Sequence, residues 1–317
     1  MLTLHDFYSR HYGPDVLPNL KRSTQSSYRA NINHHILPAL GDLCLLELSR
    51  SDTQRFVTAL AGKGLERQTI KNVWTTLSAV LTAAVEYGYW ERNPARGIKV
   101  AVRQPAKVRF IPSPSKFADL TGCLAEPART ICLLLAGTGM RIGEAMALRV
   151  EDVDLQNLEI RVSQDISHGH LDTPKSNASA ATLPIGPKLA SALGQHMVHL
   201  GRSAGFLFAN ELGRPLDPIH LARKFLYPAQ HSLQLPRFSW HTFRHIHATR
   251  LGAHNVPVRI AQAQLRHKDP ALTLGVYTRV IEESRRCAVE QVENDLFSII
   301  LNAEETTQAR TSLETTR

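Results

Sequence analysis

Apolar residues recur at helical intervals through the first hundred positions. Ser23 or Thr24 is read as the cap of a helix carrying Tyr28, Ile32 and Ile36 at fourfold spacing. A second helix is expected from near Ser51, with Phe56, Val57 and Leu60 on one face. A third and longer one runs from about Arg67 to Tyr87, its stripe made of Ile70, Val73, Leu77, Leu81 and Val85. Asn93-Pro94 closes this bundle, because the residue before a proline is pushed out of the helical region. The pattern then lapses over residues 99–115, KVAVRQPAKVRFIPSPS, which are basic and contain three prolines. They read as an extended connector.

Beyond residue 115 the periodicity is mixed. Helices are expected near 127–137 and 143–149. The alternating run Leu158-Glu-Ile-Arg-Val reads as a strand. His170 to Lys175 and Ala180 to Ile185 flank a Ser/Asn-containing turn, which predicts a hairpin and a small antiparallel sheet. Helical patterns resume at Pro187, interrupted by the strand-like FLFAN at 206–210. The fold class expected is mainly α with a small antiparallel sheet (α+β). The divisions are a helical domain over 1–98, a linker over 99–115, a second domain over 116–281 and a tail over 282–317.

Charge sharpens this division. The net charge is +9. Residues 1–100 hold 12 basic against 8 acidic side chains, residues 101–281 hold 21 against 12, and residues 282–317 hold 4 against 8. A basic body followed by an acidic tail fits a polyanion-binding body and a protein-contacting tail, although moderate positive charge also serves solubility alone. No apolar run is long enough to span a bilayer and no signal pattern opens the chain, so a cytoplasmic protein is expected. The four cysteines, Cys44, Cys123, Cys132 and Cys287, are scattered, which argues against a disulfide framework or a cysteine zinc site and for buried reduced thiols.

Four segments carry candidate chemistry. In GTGMRIGEAMALRVEDVDL, residues 137–155, Arg141 follows a glycine-rich bend and opens a short helix, where it can present a guanidinium to an anion, with Glu144 three residues on to brace it. Lys175 stands near the tip of the expected hairpin. In HTFRH, residues 241–245, His241 and Arg244 are three apart and share a helix face, so both can donate to one phosphate. His241 and His245 at i,i+4 offer a rival metal pair, but the zinc-protease pattern needs a glutamate where Thr242 stands. The last segment, LRHKDPALTLGVYTRV at 265–280, supplies His267 and then Tyr277. Taken singly, each has an ordinary reading: a surface arginine, a solvated lysine, a packed tyrosine.

Together, and in this order, the four segments resemble the tyrosine recombinase (phage integrase) family, whose pattern is an arginine in G-x-R-x-x-E, a lysine on a β-hairpin, H-x-x-R on a helix, a histidine or tryptophan, and a tyrosine near the C-terminus. Arg141, Lys175, His241, Arg244, His267 and Tyr277 match all six positions. Residues 1–98 resemble the family's helical core-binding (SAM-like) domain. Two local departures stand out: Leu265-Arg266-His267 where L-G-H is frequent, and Ala181 where a basic residue often follows the hairpin lysine. The arm-site domain that many phage integrases carry N-terminally is not expected here.

The resemblance implies a C-shaped clamp on double-stranded DNA and a metal- and ATP-independent transesterification through a 3′-phosphotyrosyl link to Tyr277. Arg141 and Arg244 would stabilise the transition state, His241 would accept the tyrosine proton, Lys175 would protonate the leaving 5′-oxygen, and His267 would hydrogen-bond a phosphate oxygen. No cofactor or metal is implied. The tail's apolar residues Leu296, Phe297, Ile299, Ile300 and Leu301 are expected to dock on a neighbouring protomer, giving a homotetramer on paired sites. Accessory DNA-bending or directionality proteins are further candidate partners, and a nucleoid-associated protein of bacterial or phage origin is expected. The rival functions are a type IB topoisomerase and a catalytically inactive DNA-binding regulator.

Overall fold

The computed structural model describes residues 1–98, 110–167, 169–172 and 181–267. Lys175, Tyr277, the linker up to residue 109 and the tail from 282 therefore lie outside the described residues. The chain divides into two compact units, Met1–Val108 and Arg109–Arg317.

The first unit is helical throughout its described residues. Helix α1, Leu4–Phe7, is capped by Thr3 and runs on as wider turns over Tyr8–Val16. Helix α2, Arg22–Asn31, continues through Ile32–Ile36 into α3, Leu37–Leu40. Ser23 and Thr24 lie inside α2 rather than capping it, and Lys21 stands at its N-cap. The Ser27 hydroxyl instead bonds back to the Ser23 carbonyl one turn earlier, a local use of serine that propensity alone does not separate from capping. Helix α4, Arg50–Gly62, starts one residue before Ser51, as expected, and Ser49 and Asp52 form a reciprocal capping pair at its start. Helix α5, Arg67–Glu86, follows its predicted stripe: Ile70, Val73, Leu77 and Leu81 are fully buried, and Val85 is half-buried. They form one core with Phe7, Tyr12, Ile32, Ile36, Phe56 and Leu60.

The second unit is built around a helix that is apolar on nearly every side. Helix α6, Pro114–Cys123, begins inside the stretch read as a linker, because Ser113 caps it and Pro114 occupies its first turn, where a missing N–H costs nothing. Helix α7, Ala128–Thr138, buries Ala128, Ile131, Cys132, Leu134 and Leu135, and α8, Ile142–Ala147, follows after a tight bend. Three antiparallel strands come next: β1, Val153–Asp154, β2, Glu159–Val162, and β5, Ala181–Pro184, in the order β1-β2-β5 with Ile160 opposite Leu183. Between β2 and β5 in sequence, β3, Asp165–Ser167, pairs with β4, His170–Asp172. The expected pairing of 170–175 with 180–185 is thus replaced, among the described residues, by two separate pairings: β4 returns on β3 through Gly169 in a left-handed conformation, and β5 takes β2 as its partner.

Helices α9, Pro187–Leu200, α10, Pro218–Leu221, α11, Tyr227–Ser232, α12, His241–Ala253, and α13, Val258–Leu265, complete the described part. The run at 206–210 forms no strand. It makes only isolated bridges, Phe206 with Arg149 and Ala209 with Pro215, while Leu207 and Phe208 are buried in the core beside His196 of α9, which accounts for the apolar run. Among the described residues no helix is long and apolar enough to cross a membrane. Of the cysteines, Cys44, Cys123 and Cys132 are unpaired thiols. Cys132 alone is fully buried and Cys123 is exposed, so the expectation of buried thiols holds for one of these three.

Candidate active site

The site begins where α7 ends. The last carbonyls of a helix have no partner within it, and here they are taken by side chains from much later in the chain. The Ala136 carbonyl accepts from His247 Nδ1 at 2.9 Å, that of Thr138 from Gln264 Nε2 at 3.2 Å, and that of Gly139 from Arg244 Nη1 at 2.6 Å. Gly139 has φ of +69°, and a Cβ there would stand 2.7 Å from His247 Cδ2. The glycine is required both for the left-handed turn and for the close approach of α12. The bend delivers Arg141 to the N-cap of α8.

At that N-cap the anion is the protein's own. Glu144 accepts the Arg141 backbone N–H at 2.7 Å through Oε2 and the Arg141 Nη1 at 2.7 Å through Oε1. The carboxylate is buried, while the Arg141 side chain is 36% exposed. Bracing of Arg141 by Glu144, expected from their spacing, is therefore present. Glu144 also accepts from Nη2 of Arg266, a residue the sequence reading singled out only as a departure from L-G-H. Helix α8 reaches this position by packing directly on β3: a Cβ on Gly143 would stand 2.5 Å from the Ile166 carbonyl oxygen and would also collide with Asp165. Gly143→Ala should therefore push α8 off the sheet, at a cost of about 2 kcal/mol. A melting temperature several degrees below wild type is the expected outcome of thermal denaturation.

Helix α12 supplies His241 and Arg244. His241 is its first residue, after Trp240, whose Nε1 donates to the Pro218 carbonyl at 2.9 Å. Phe243 anchors the helix among Phe117, Phe238 and Trp240. Arg244 is buried, and its Nη2 donates to the Leu265 carbonyl while Nη1 holds Gly139. Two of its five N–H donors thus tie the α7 bend to the end of α13, so the residue has a structural role. His241 and His245 stack edge to face with ring centroids 4.7 Å apart. Among the described residues no group of three or more histidine, cysteine or acidic side chains is arranged to hold a metal ion.

His267 follows Arg266, and its carbonyl accepts from Gln262 Nε2 at 3.1 Å. Its surroundings are cationic. Burial first, then Arg244, Arg141, His241 and Arg266, push its pKa down to about 4. Arg244 is pushed down to about 9 by burial and by Arg141 and Arg266, against an opposing pull from Glu144, and stays charged at neutral pH. His247 is likewise lowered, chiefly by burial. Two guanidiniums, those of Arg141 and Arg266, thus share one carboxylate, and Arg244 stands near enough to feel its charge, an arrangement that favours an incoming anion. His267 is neutral at working pH and offers a hydrogen-bond donor rather than a charge. Below about 6.5, the free imidazole value, the unfolded chain takes up protons at His267 and His247 that the folded chain refuses. Stability should fall as pH drops from 6.5 toward 4, and urea titrations across that range should show a shallower fall for His267→Gln.

The site therefore gathers Arg141, Glu144, Arg244 and His267 into one electrostatic group, with His241 among the cations acting on His267. Lys175 and Tyr277 fall outside the described residues. Arg266, His247 and Gln264 complete the group without having been foreseen. Their partners are 111 or more residues away in sequence, except for local helix contacts, and no spacing rule reaches that far.

The Phage integrase family description matches residues 115–284, and that of its N-terminal SAM-like domain matches residues 3–61. The chain is similar to a XerC-like tyrosine recombinase of Caldanaerobacter subterraneus, 27% identical over 77% of this chain and 70% of that one. It is also similar to an integrase of Staphylococcus phage L54a, 31% identical over half of each chain. Among solved structures it resembles the Tn1549 transposon integrase in complex with transposon right end DNA, with a TM-score of 0.75 at 21% identity over 92% of this chain and 99% of that one.

Proposed function

The chain belongs to the phage integrase family, and from that membership we propose that it is a site-specific tyrosine recombinase in which Tyr277 attacks a DNA phosphodiester. The observation that carries this reading is the group of three arginines around Glu144, with His241 and His267 beside it. In-line attack by the Tyr277 oxygen forms a P–O bond to tyrosine and breaks the P–O5′ bond, leaving a 3′-phosphotyrosyl link and a free 5′-hydroxyl. A 5′-hydroxyl from another strand reverses the step, so the energy of the broken bond is kept and no nucleotide is consumed.

Each role follows from charge and proton demand. The phosphorane-like transition state gathers charge on its non-bridging oxygens, which the planar guanidiniums of Arg141 and Arg244 suit. Tyrosine titrates near pH ~10, so Tyr277 needs a proton acceptor, assigned to His241. The neutral imidazole of His267 donates to a phosphate oxygen. Lys175 is assigned the proton given to the leaving 5′-oxygen. With the arginines carrying the charge, the step needs no metal ion. Double-stranded DNA is the substrate. The acidic tail with its Leu296–Leu301 cluster is assigned to a neighbouring protomer in a tetramer on paired sites, and the protein to the cytoplasm.

The direct test is recombination between two copies of a cognate site, recovered by selection from a DNA library, in EDTA. Exchange of flanks between the two sites is expected. Relaxation of supercoils without exchange would overturn the recombinase reading in favour of a topoisomerase, and binding without cleavage would overturn it in favour of a regulator. Lys175→Ala should lose strand cleavage on ordinary DNA and regain it when the leaving group is a 5′-thiol, because a thiolate departs without a proton. Gel assays of covalent adduct on both substrates check this, and a failure of the sulfur substrate to rescue removes Lys175 from the general-acid role.

A further inference from the structure

We propose that Arg266 is a positioning residue of the phosphate site, acting through Glu144 to fix the guanidinium of Arg141 and keep its charge available to DNA; this rests on the strand-cleavage reading above.

The backbone alone gives no reason for an arginine here. Arg266 follows the last turn of α13 with φ of 52° and ψ of 44°, and its N–H closes that turn on the Ala263 carbonyl at 3.0 Å. Glycine adopts this left-handed conformation freely, whereas a residue with a Cβ pays roughly 1 kcal/mol for it. The reason must lie in the side chain. It is buried, at 1% exposure, and reaches Glu144, a residue 122 positions earlier.

Glu144 is the junction. Its Oε1 faces Arg141 Nη1, and its Oε2 faces both the Arg141 backbone N–H and Arg266 Nη2. The carboxylate is thus gripped from two sides, and Arg141 is held against a partner that cannot swing away. Division of the carboxylate has a second effect. A single Glu144–Arg141 pair would be neutral and would have little to offer a phosphate. With Arg266 taking a share, and Arg244 adding its own charge nearby, the group keeps a surplus of positive charge that only Arg141, the partly exposed member of the pair, brings toward solvent.

Arg266 also carries a burden that fold stability does not explain. Its Nε and Nη1 are buried and find no hydrogen-bond partner among the described residues. Each such donor costs about 1–3 kcal/mol. Together with the backbone strain, this marks a side chain retained for what it does to its neighbours and not for the stability of the free protein.

The test is a mutant cycle under single-turnover conditions, with saturating DNA carrying a nick that traps the covalent adduct. The variants are Arg266→Gly, which suits the backbone, Arg266→Lys, Glu144→Gln and the Arg266→Gly/Glu144→Gln double. Arg266→Gly should slow cleavage about tenfold and leave the DNA dissociation constant within about twofold. Arg266→Lys should recover part of the rate. In the Glu144→Gln background Arg266→Gly should have no further effect. If Glu144→Gln does not fold, Arg141→Ala serves as the background, with the same expectation. Wild-type rates for Arg266→Gly, or rate losses that multiply fully in the double variant, would overturn the proposal alone. Absence of adduct from the wild-type protein would overturn the strand-cleavage reading and this proposal with it.

Discussion

Tyr277→Phe should abolish covalent capture of DNA while leaving binding almost unchanged. The substitution removes one oxygen atom, the proposed nucleophile, and keeps the ring. Binding by a basic protein is dominated by phosphate contacts from lysine and arginine, none of which is lost. Two separate measurements follow: band shifts should give the wild-type affinity, and denaturing gels should show no protein–DNA adduct at any time. No other hydroxyl stands in the proposed mechanism to replace it, so the expected effect is complete loss. Adduct formation by Tyr277→Phe at any rate near wild type would remove Tyr277 from the reaction.

The second large effect is expected at Arg244, and the structure makes it twofold. As a transition-state donor, its removal should lower the cleavage rate by roughly two or more orders of magnitude, comparable with the loss of one preorganised oxyanion donor. As the group that holds the Gly139 and Leu265 carbonyls together, its removal should also destabilise the unit, by about 3 kcal/mol for two buried acceptors left unmet. Arg141→Ala should match the rate loss without the same stability loss, since its side chain is partly exposed and anchors no distant carbonyl in the described structure. Single-turnover cleavage and thermal melting on both variants separate the two contributions. Equal melting temperatures for wild type and Arg244→Ala would contradict the structural part, and equal cleavage rates for wild type and either variant would take that arginine out of the catalytic step.

What the sequence shows in advance is what a single element encodes. Helix α5 follows its apolar stripe almost residue for residue, and the pairs Arg141–Glu144 and His241–Arg244 are visible because residues three apart along a helix or at its cap share a face. What it hides is non-local. Nothing in the vicinity of Arg266 announces a contact with Glu144, and nothing near His247 or Gln264 announces that they end helix α7. The strand pairing is hidden for a related reason. Segments 159–162, 165–167, 170–172 and 181–184 are all short, and alternation alone does not choose among partners of similar length. At α6 the prolines of the basic stretch 99–115 suggest extended chain, but Ser113 and Pro114 at its end are a cap and a first-turn proline, which start a helix.

Whether the arginine group around Glu144 is the phosphate site served by Tyr277 can be read from the adduct trapped on nicked cognate DNA in EDTA, by digesting the protein and identifying the DNA-linked peptide by mass spectrometry. A peptide modified at Tyr277 and joined to a 3′-phosphate is expected, and it should disappear in Arg141→Ala and Arg244→Ala. A DNA link at another residue, a 5′-phosphate link, or an adduct that forms only when a divalent metal is restored would contradict this assignment.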